Sequence, residues 1–297
     1  MSSIDTSVIV PNLDCPLVGR TLEALAAAGA PGDGVEVLVV GRDAPGQVPR
    51  DGSVRFVETV RALNPAEARN LGVEEARGER LLFTDADCAP RPGWLEVLVS
   101  ALEGSPVAGG AVVFPTDSAV WALADNIASF HDLLPDRPAE ADSHGTLGSL
   151  NLAMTRAAWQ RVGSFDPELT TSEDVDWVLR ARAAGLATAF VPAAVVEHAA
   201  VRRDRAALVA HATWYGRHFR AFCSRHPGLF DRGPTWASRR RLALAAPAKS
   251  LVSSLQIFAR HRRLWPHLRA LPGVVAFKRA WYRAVLESWD EGGAEPS

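Results

Sequence analysis

Gly78-Glu79-Arg80-Leu81-Leu82-Phe83-Thr84-Asp85-Ala86-Asp87-Cys88 is the stretch on which the fold turns. Arg80 to Thr84 is a short apolar run with Gly78 before it and acids after it, so it reads as a buried strand. That strand delivers Asp85 and Asp87 at its C-terminal end. Two carboxylates one residue apart, just past a buried strand, can converge on a hard divalent cation. Mg²⁺ and Mn²⁺ prefer oxygen ligands and keep substrate phosphates in their shell. The plain alternative is a turn in which the aspartates serve backbone hydrogen bonds.

Strand and helix alternate outward from this stretch. Ser7 to Pro11, Val35 to Val40 and Val54 to Val57 read as strands. Thr21 to Ala28, Pro65 to Ala76 and Trp94 to Leu102 have helical spacing. The pattern predicts a mostly parallel α/β sheet flanked by helices, whose ligands bind beyond the carboxyl ends of the strands. Further on, Ala108 to Phe114 and Gly148 to Thr155 are expected as strands. Asp117 to Leu134, Arg156 to Val162 and Ser172 to Gly185 are expected as helices. A polar loop with Pro135, Pro138 and Gly145 runs to about Gly148, and Thr188 to Val191 and Val195 to His198 read as two short strands.

The chain has 297 residues, 47% of them apolar and 22% charged, enough to bury a real core. The net charge of -2 hides an asymmetry. Residues 1–200 hold 28 acidic against 14 basic residues, whereas residues 201–283 hold 18 basic against two acidic. We therefore expect a catalytic domain over 1–200 and a basic amphipathic helical region over 201–297, with a polar tail after Trp289. Cys15, Cys88 and Cys223 form neither a zinc pattern nor a disulfide framework, as in a reducing compartment. No basic and apolar leader opens the chain, and Leu242 to Ala259 is interrupted by Pro247, Lys249 and serines. The expectation is a cytoplasmic protein with no spanning segment, whose one membrane role is peripheral contact at the inner face.

Two further segments carry chemistry. In Thr171-Ser172-Glu173-Asp174-Val175-Asp176-Trp177, Ser172 reads as a helix cap followed by three acids that the helix dipole favours. Read functionally, a carboxylate here is a general base toward a hydroxyl. His198, in Val196-Glu197-His198, is either a structural histidine or a metal ligand.

In order, Ser7-Val-Ile-Val-Pro11, Ala68-Arg69-Asn70-Leu-Gly72, Gly78 to Asp87, Gly148-Ser-Leu-Asn151 to Arg156, Val162-Gly-Ser-Phe-Asp166, Glu173-Asp174 with Arg180 and Gly185, then Pro192 and Glu197-His198 make a recognisable series. The series, over about residues 5–200, resembles the family 2 glycosyltransferases of GT-A fold, a Rossmann-like nucleotide-diphospho-sugar transferase fold. The resemblance implies an inverting transfer from a nucleotide sugar, a UDP-sugar by default, to an acceptor hydroxyl, assisted by Mn²⁺ or Mg²⁺. It implies that Asp85, Ala86 and Asp87 hold the donor, with Asp87, Asp85 and His198 toward the metal. It makes Asp174, beside Glu173, the catalytic base, and it places Pro11, Asn12, Asp14, Asp43, Arg69 and Asn70 along the nucleotide site.

Two stretches depart from the family pattern. Val40-Gly41-Arg42-Asp43 stands where an Asp pair is usual, and Asn12-Leu13-Asp14 where Thr, an aromatic and Asn are usual. Both lie on the nucleotide-base pocket. A nucleotidyltransferase would need a basic, glycine-rich phosphate loop that Pro11 to Pro16 lacks. A catalytically degenerate binding module is the non-enzymatic alternative. In the C-terminal region Arg202, Arg203, Arg239 to Arg241, Arg262 and Arg263 accompany Trp214, Trp236, Trp265 and Trp281. Such helices either pack on the body or lie on an anionic membrane, which would suit a lipid-linked acceptor. No nucleic-acid motif accompanies the charge.

Overall fold

In the computed structural model, residues 4–137, 146–227 and 235–289 are described. Pro138 and Gly145 of the expected polar loop, and the polar tail, lie outside these residues. By its internal contacts the chain forms two units, Met1–Val113 with Asp132–Ala199, and Phe114–His131 with Ala200–Ser297. Residues 114–131, which the sequence alone assigns to the first domain, thus group with the C-terminal helices.

The first unit is built on an eight-stranded sheet. Its strands are β1 (Thr6–Leu13), β2 (Val35–Arg42), β3 (Arg55–Glu58), β4 (Arg80–Thr84), β5 (Cys88–Pro90), β6 (Val107–Val113), β7 (Asn151–Thr155) and β8 (Thr188–His198). The order is β3-β2-β1-β4-β7-β6-β8-β5. β3, β2, β1 and β4 run parallel; β1, β2 and β4 are largely buried, as apolar strands covered on both faces are, whereas β3 at the sheet edge is partly exposed. β7 is antiparallel to both β4 and β6, and β5 is antiparallel to β8. The two short strands expected at 188–198 are one strand. It breaks register against β6 at Gly110/Ala111, where Val191 and Val195 face successive β6 residues, and Pro192 sits in that irregularity.

Helices α1 (Val18–Ala27), α2 (Pro65–Glu75), α3 (Trp94–Gly104), α5 (Arg156–Val162) and α6 (Glu173–Ala183) complete the unit. The α2 start is encoded locally. Asn64 accepts from the Glu67 amide, the Glu67 side chain reaches back to the Asn64 amide, and Pro65 opens the first turn. Gly72 on α2 allows close helix–sheet packing, since a Cβ there would stand 2.4 Å from Ile9 Cγ2. Ile9, Leu38, Val40, Leu81 and Phe83 of the strands share a buried apolar cluster with Phe165 and Trp177. Phe83 meets Phe165 edge to face, with ring centroids 5.6 Å apart.

The second unit holds α4 (Val120–Phe130), α7 (Arg205–Arg225), α8 (Arg239–Arg260), a 3₁₀ segment (Arg262–Ala270) and α9 (Leu271–Glu287). Asp204 and Ser238 cap α7 and α8. Buried Asp125 on α4 is satisfied by Arg202 at 3.2 Å and His211 at 2.7 Å, so Arg202 of the basic region is spent internally. Trp236 and Trp281 join Phe219 and Tyr282 in a second apolar cluster, whereas Trp214 and Trp265 are exposed. The expectation that no segment reaches spanning length is corrected. The 22 residues of α8 are, by length and composition alone, long and apolar enough to cross a membrane.

Candidate active site

The β4 end carries the acids into a tight turn closed by the Cys88 amide donating to the Asp85 carbonyl, 3.0 Å. Two groups around α1 pin this turn. The Thr21 hydroxyl donates to the Ala86 carbonyl at 2.9 Å, and the Cys15 thiol lies 3.5 Å from the same oxygen. β5 follows at once, an element the sequence reading missed because three residues carry no periodicity. Its pairing sets Cys88 opposite His198. Asp87 Oδ2 and His198 Nε2 therefore lie 3.4 Å apart, and the Ala199 amide donates to the Asp87 carbonyl. The Cys88 thiol is fully buried, and burial, with Asp87 and Asp85 beside it, pushes it well above its ordinary range. It is an inert thiol.

The second acid segment opens α6. Ser172 does not cap this helix as expected. It adopts a left-handed backbone, φ 63°, with no side-chain cap bond, and Thr171 Oγ1 is buried with no hydrogen-bond partner. A serine held at positive φ is strained and marks a place where the surroundings dictate the backbone. Glu173 is buried, whereas Asp174 is partly exposed. Asp174 Oδ2 accepts from both the amide (2.7 Å) and the hydroxyl (2.9 Å) of Ser149, just before β7. Nothing local in the sequence marks Ser149 as a partner of Asp174, because its approach to α6 is a tertiary contact.

Arg69 joins the two segments. From the middle of α2 its buried guanidinium donates to Asp85 Oδ1 at 2.7 Å and to Glu173 Oε1 at 2.5 Å. Burial opposes the arginine's charge, but Asp85, Glu173 and Asp174 outweigh it and hold the group protonated. Burial also pushes the Glu173 carboxyl up to about 7, with Asp174 adding to the effect and Arg69 opposing it. Asp85, Glu173, Asp174 and Arg69 thus share one locus, from three places in the sequence that only the fold brings together.

Of the other expected nucleotide-site residues, Asn12, Asp14, Asp43 and Asn70 all bond backbone groups, and Asp14 also pairs with a side chain. Buried Asn12 donates to the Arg42 carbonyl at 2.7 Å and accepts from the Cys15 amide. Asp14, at φ 54°, pairs with the Arg42 side chain at 2.9 Å and accepts from the Ala44 amide. Asp43 accepts from the amides of Gln47 and Val48, closing its own loop. Gly41 permits this close approach of the β1 and β2 ends, since a Cβ there would meet the Asn12 carbonyl at 2.1 Å. Pro11 lies beside Val40 in the parallel register. Asn70 stands apart from this group. Its amide donates to the Phe165 carbonyl and accepts from the Phe165 amide, fixing the Gly163-to-Asp166 turn. Asn151, not singled out as a site residue, is the chief buried polar anchor. It accepts from Trp94 Nε1 and donates to the carbonyls of Ala111 and Ala194.

Among the described residues no group of three His, Cys, Asp or Glu side chains is disposed to hold a metal. A partly exposed carboxylate beside an imidazole, Asp87 with His198, nonetheless fits a hard cation that completes its shell with water and phosphate oxygens.

This sheet order, with an acid pair at the end of the fourth strand and a second acid segment on the facing helix, is the GT-A architecture of glycosyltransferases. The family model described as "Glycosyltransferase like family 2" matches residues 4–216, and the chain belongs to that family. Glycosyltransferase AglE of Haloferax volcanii is 29% identical over 195 residues, 62% of this chain and 63% of that protein. The pre-mycofactocin glycosyltransferase of Mycobacterium tuberculosis is 30% identical over 173 residues, 55% of this chain and 36% of that protein. The matched stretch therefore spans less than two thirds of either relative. Among solved structures, the mannosyltransferase PcManGT from Pyrobaculum calidifontis, in complex with GDP-Man and Mn²⁺, superposes with a TM-score of 0.60 at 20% identity, covering 98% of this chain and 90% of that one. TarS 1-349 of S. aureus, in complex with UDP, gives 0.50 at 16% identity, covering 97% and 92%. At these identities the structural likeness speaks for the fold.

Proposed function

We propose that this chain transfers a sugar from a nucleotide diphosphate to an acceptor hydroxyl with inversion, and that Asp174 takes the acceptor's proton. One observation carries the reading. The Arg69 guanidinium grips Asp85 with one nitrogen and Glu173 with another, so the strand-end acids and the helix-start acids belong to one site. Of the three helix acids, Glu173 is buried against Arg69 and Asp176 is buried against Arg180, so neither has a free approach. Asp174 is partly exposed, and two hydrogen bonds from Ser149 fix the direction of its carboxylate. A general base must be within hydrogen-bond reach of the hydroxyl and must be held in orientation, and Asp174 meets the second condition already. It also comes from a different segment than Asp87, as an attack opposite the leaving group requires.

Asp87 and His198 would hold a divalent cation, with Mn²⁺ or Mg²⁺ as the candidates, and Asp85 beside them would bind the donor. Bound there, the cation would offset charge on the departing nucleoside diphosphate. PcManGT was solved with GDP-Man and Mn²⁺ and TarS with UDP, which supports a nucleotide-sugar donor. A uridine donor is the default, and the Asp14–Arg42 ion pair at the base pocket is the feature that would select the base.

Donor binding and turnover separate the roles. Asp174→Asn should still bind nucleotide sugar in calorimetry while transfer falls at least about a hundredfold, the scale of a lost general base. Asp87→Ala should lose the Mn²⁺-dependent part of donor binding. Full turnover by Asp174→Asn would remove it as the base.

A further inference from the structure

We infer that the second unit docks on an anionic lipid bilayer through the outward face of α8, with the helix lying in the plane of the surface. The inference stands independently of the transfer reaction. α8 lacks the polar outer face of a helix whose free side meets water. Its inward face, Leu242, Ala246, Ser250, Ser254, Ile257 and Phe258, is buried. Its outward face, Leu244, Pro247, Leu251, Val252, Leu255 and Ala259, is apolar as well and exposed. Leu244 is 81% exposed, and Leu251, Val252 and Leu255 are each about half exposed, 46–51%. At 100° per residue these positions fall within one arc, so the side chains form a continuous ridge rather than scattered apolar residues.

What flanks the ridge selects the occupant. Arg239, Arg240 and Arg241 stand exposed at its start, and Arg260, Arg262 and Arg263 at its end. Beyond them Trp265 and Leu268 are about half exposed, with the Trp265 indole nitrogen hydrogen-bonded to the Phe258 carbonyl. An apolar ridge between two arginine clusters, ending in an amphipathic tryptophan, matches the acyl and headgroup levels of an anionic bilayer. A second copy of the chain fits less well. Antiparallel pairing of two α8 ridges would set the Arg239–Arg241 cluster against the other copy's Arg260–Arg263 cluster, like charge on like. A spanning helix also fits less well. One face of α8 is packed, with Leu242 and Ala246 against Tyr282 and Val285 of α9, and crossing would send the two arginine clusters to opposite sides. Lying flat keeps both at one headgroup level.

The test is flotation of the full chain with phosphatidylcholine vesicles, with and without phosphatidylglycerol. Binding should need the anionic lipid and should weaken with salt. Leu251→Glu with Leu255→Glu changes only exposed side chains and should abolish flotation, while the circular dichroism melt and the elution volume stay those of the wild type. Arg240→Gln with Arg263→Gln should lower partitioning by roughly tenfold or more. The inference is overturned if the wild type does not float with anionic vesicles, or if the leucine pair floats as the wild type does. It is also overturned if bound chain resists carbonate extraction, which marks a spanning helix, or if the leucine pair converts a wild-type dimer into a monomer.

Discussion

Glu173 offers the sharpest physical test of the site. Its carboxyl is pushed from an ordinary 4.5 to about 7, first by burial and then by Asp174, while Arg69 opposes the shift. A carboxyl raised in the folded state binds its proton more tightly there than in the unfolded chain. Its favourable contribution is therefore complete below about 4.5 and is lost as pH rises through about 7. A shift of about 2.5 units corresponds to roughly 3 kcal/mol across that window, at 1.36 kcal/mol per unit. Glu67 does not interfere, because its Arg61 partner holds it near 2, below the window. Glu173→Gln keeps a hydrogen-bonding group against Arg69 but cannot ionise. Because the chain has two units, the readout should belong to the first. Hydrogen exchange of the β4 amides, Leu81 to Phe83, reports its opening free energy at each pH. The wild-type minus variant difference should fall by about 3 kcal/mol between pH 4.5 and 7. Parallel profiles for the two proteins would show that Glu173 does not titrate there, and the buried Arg69–Glu173 pair would then have to be ionised throughout.

Three packing predictions follow from the same geometry. Asn151→Ala removes three buried hydrogen bonds, leaving Trp94 Nε1 and two carbonyls unmatched, and should cost about 3–5 kcal/mol in urea unfolding. Gly72→Ala places a methyl against Ile9 and Val40 and should cost about 1–3 kcal/mol while sparing the acids. Arg69→Met should destabilise the first unit by about 3–5 kcal/mol, because buried Glu173 loses its cation, with a smaller loss near pH 4.5 than near 7.

Sequence patterning carried the parallel half of the sheet. β1, β2 and β4 are short β-branched or apolar runs bounded by Gly, Pro or acids, and α2 announces its start with Asn64, Pro65 and Glu67. It served less well after residue 105. The expected helix at 117–134 is α4 followed by a 3₁₀ turn, His131–Leu133, and two expected strands are one broken-register strand, because the partner strand rather than the local run sets those limits. The Ser172 cap failed for a similar reason. Cap preference is a local tendency of under about 2 kcal/mol, and the tertiary setting of Glu173 and Asp174 overrides it.

The residues alone determined the family, the order of the acid segments and the charge contrast between the two regions, since these are properties of types and spacings along one chain. Tertiary structure decided which acids meet. It gave Arg69 to both Asp85 and Glu173, Ser149 to Asp174 and His198 to Asp87, and it turned Asn12, Asp43 and Asn70 toward backbone. A side chain's partner depends on strand register and helix placement over separations of about a hundred residues, as for Arg69 and Glu173, 104 apart. No local pattern encodes that distance.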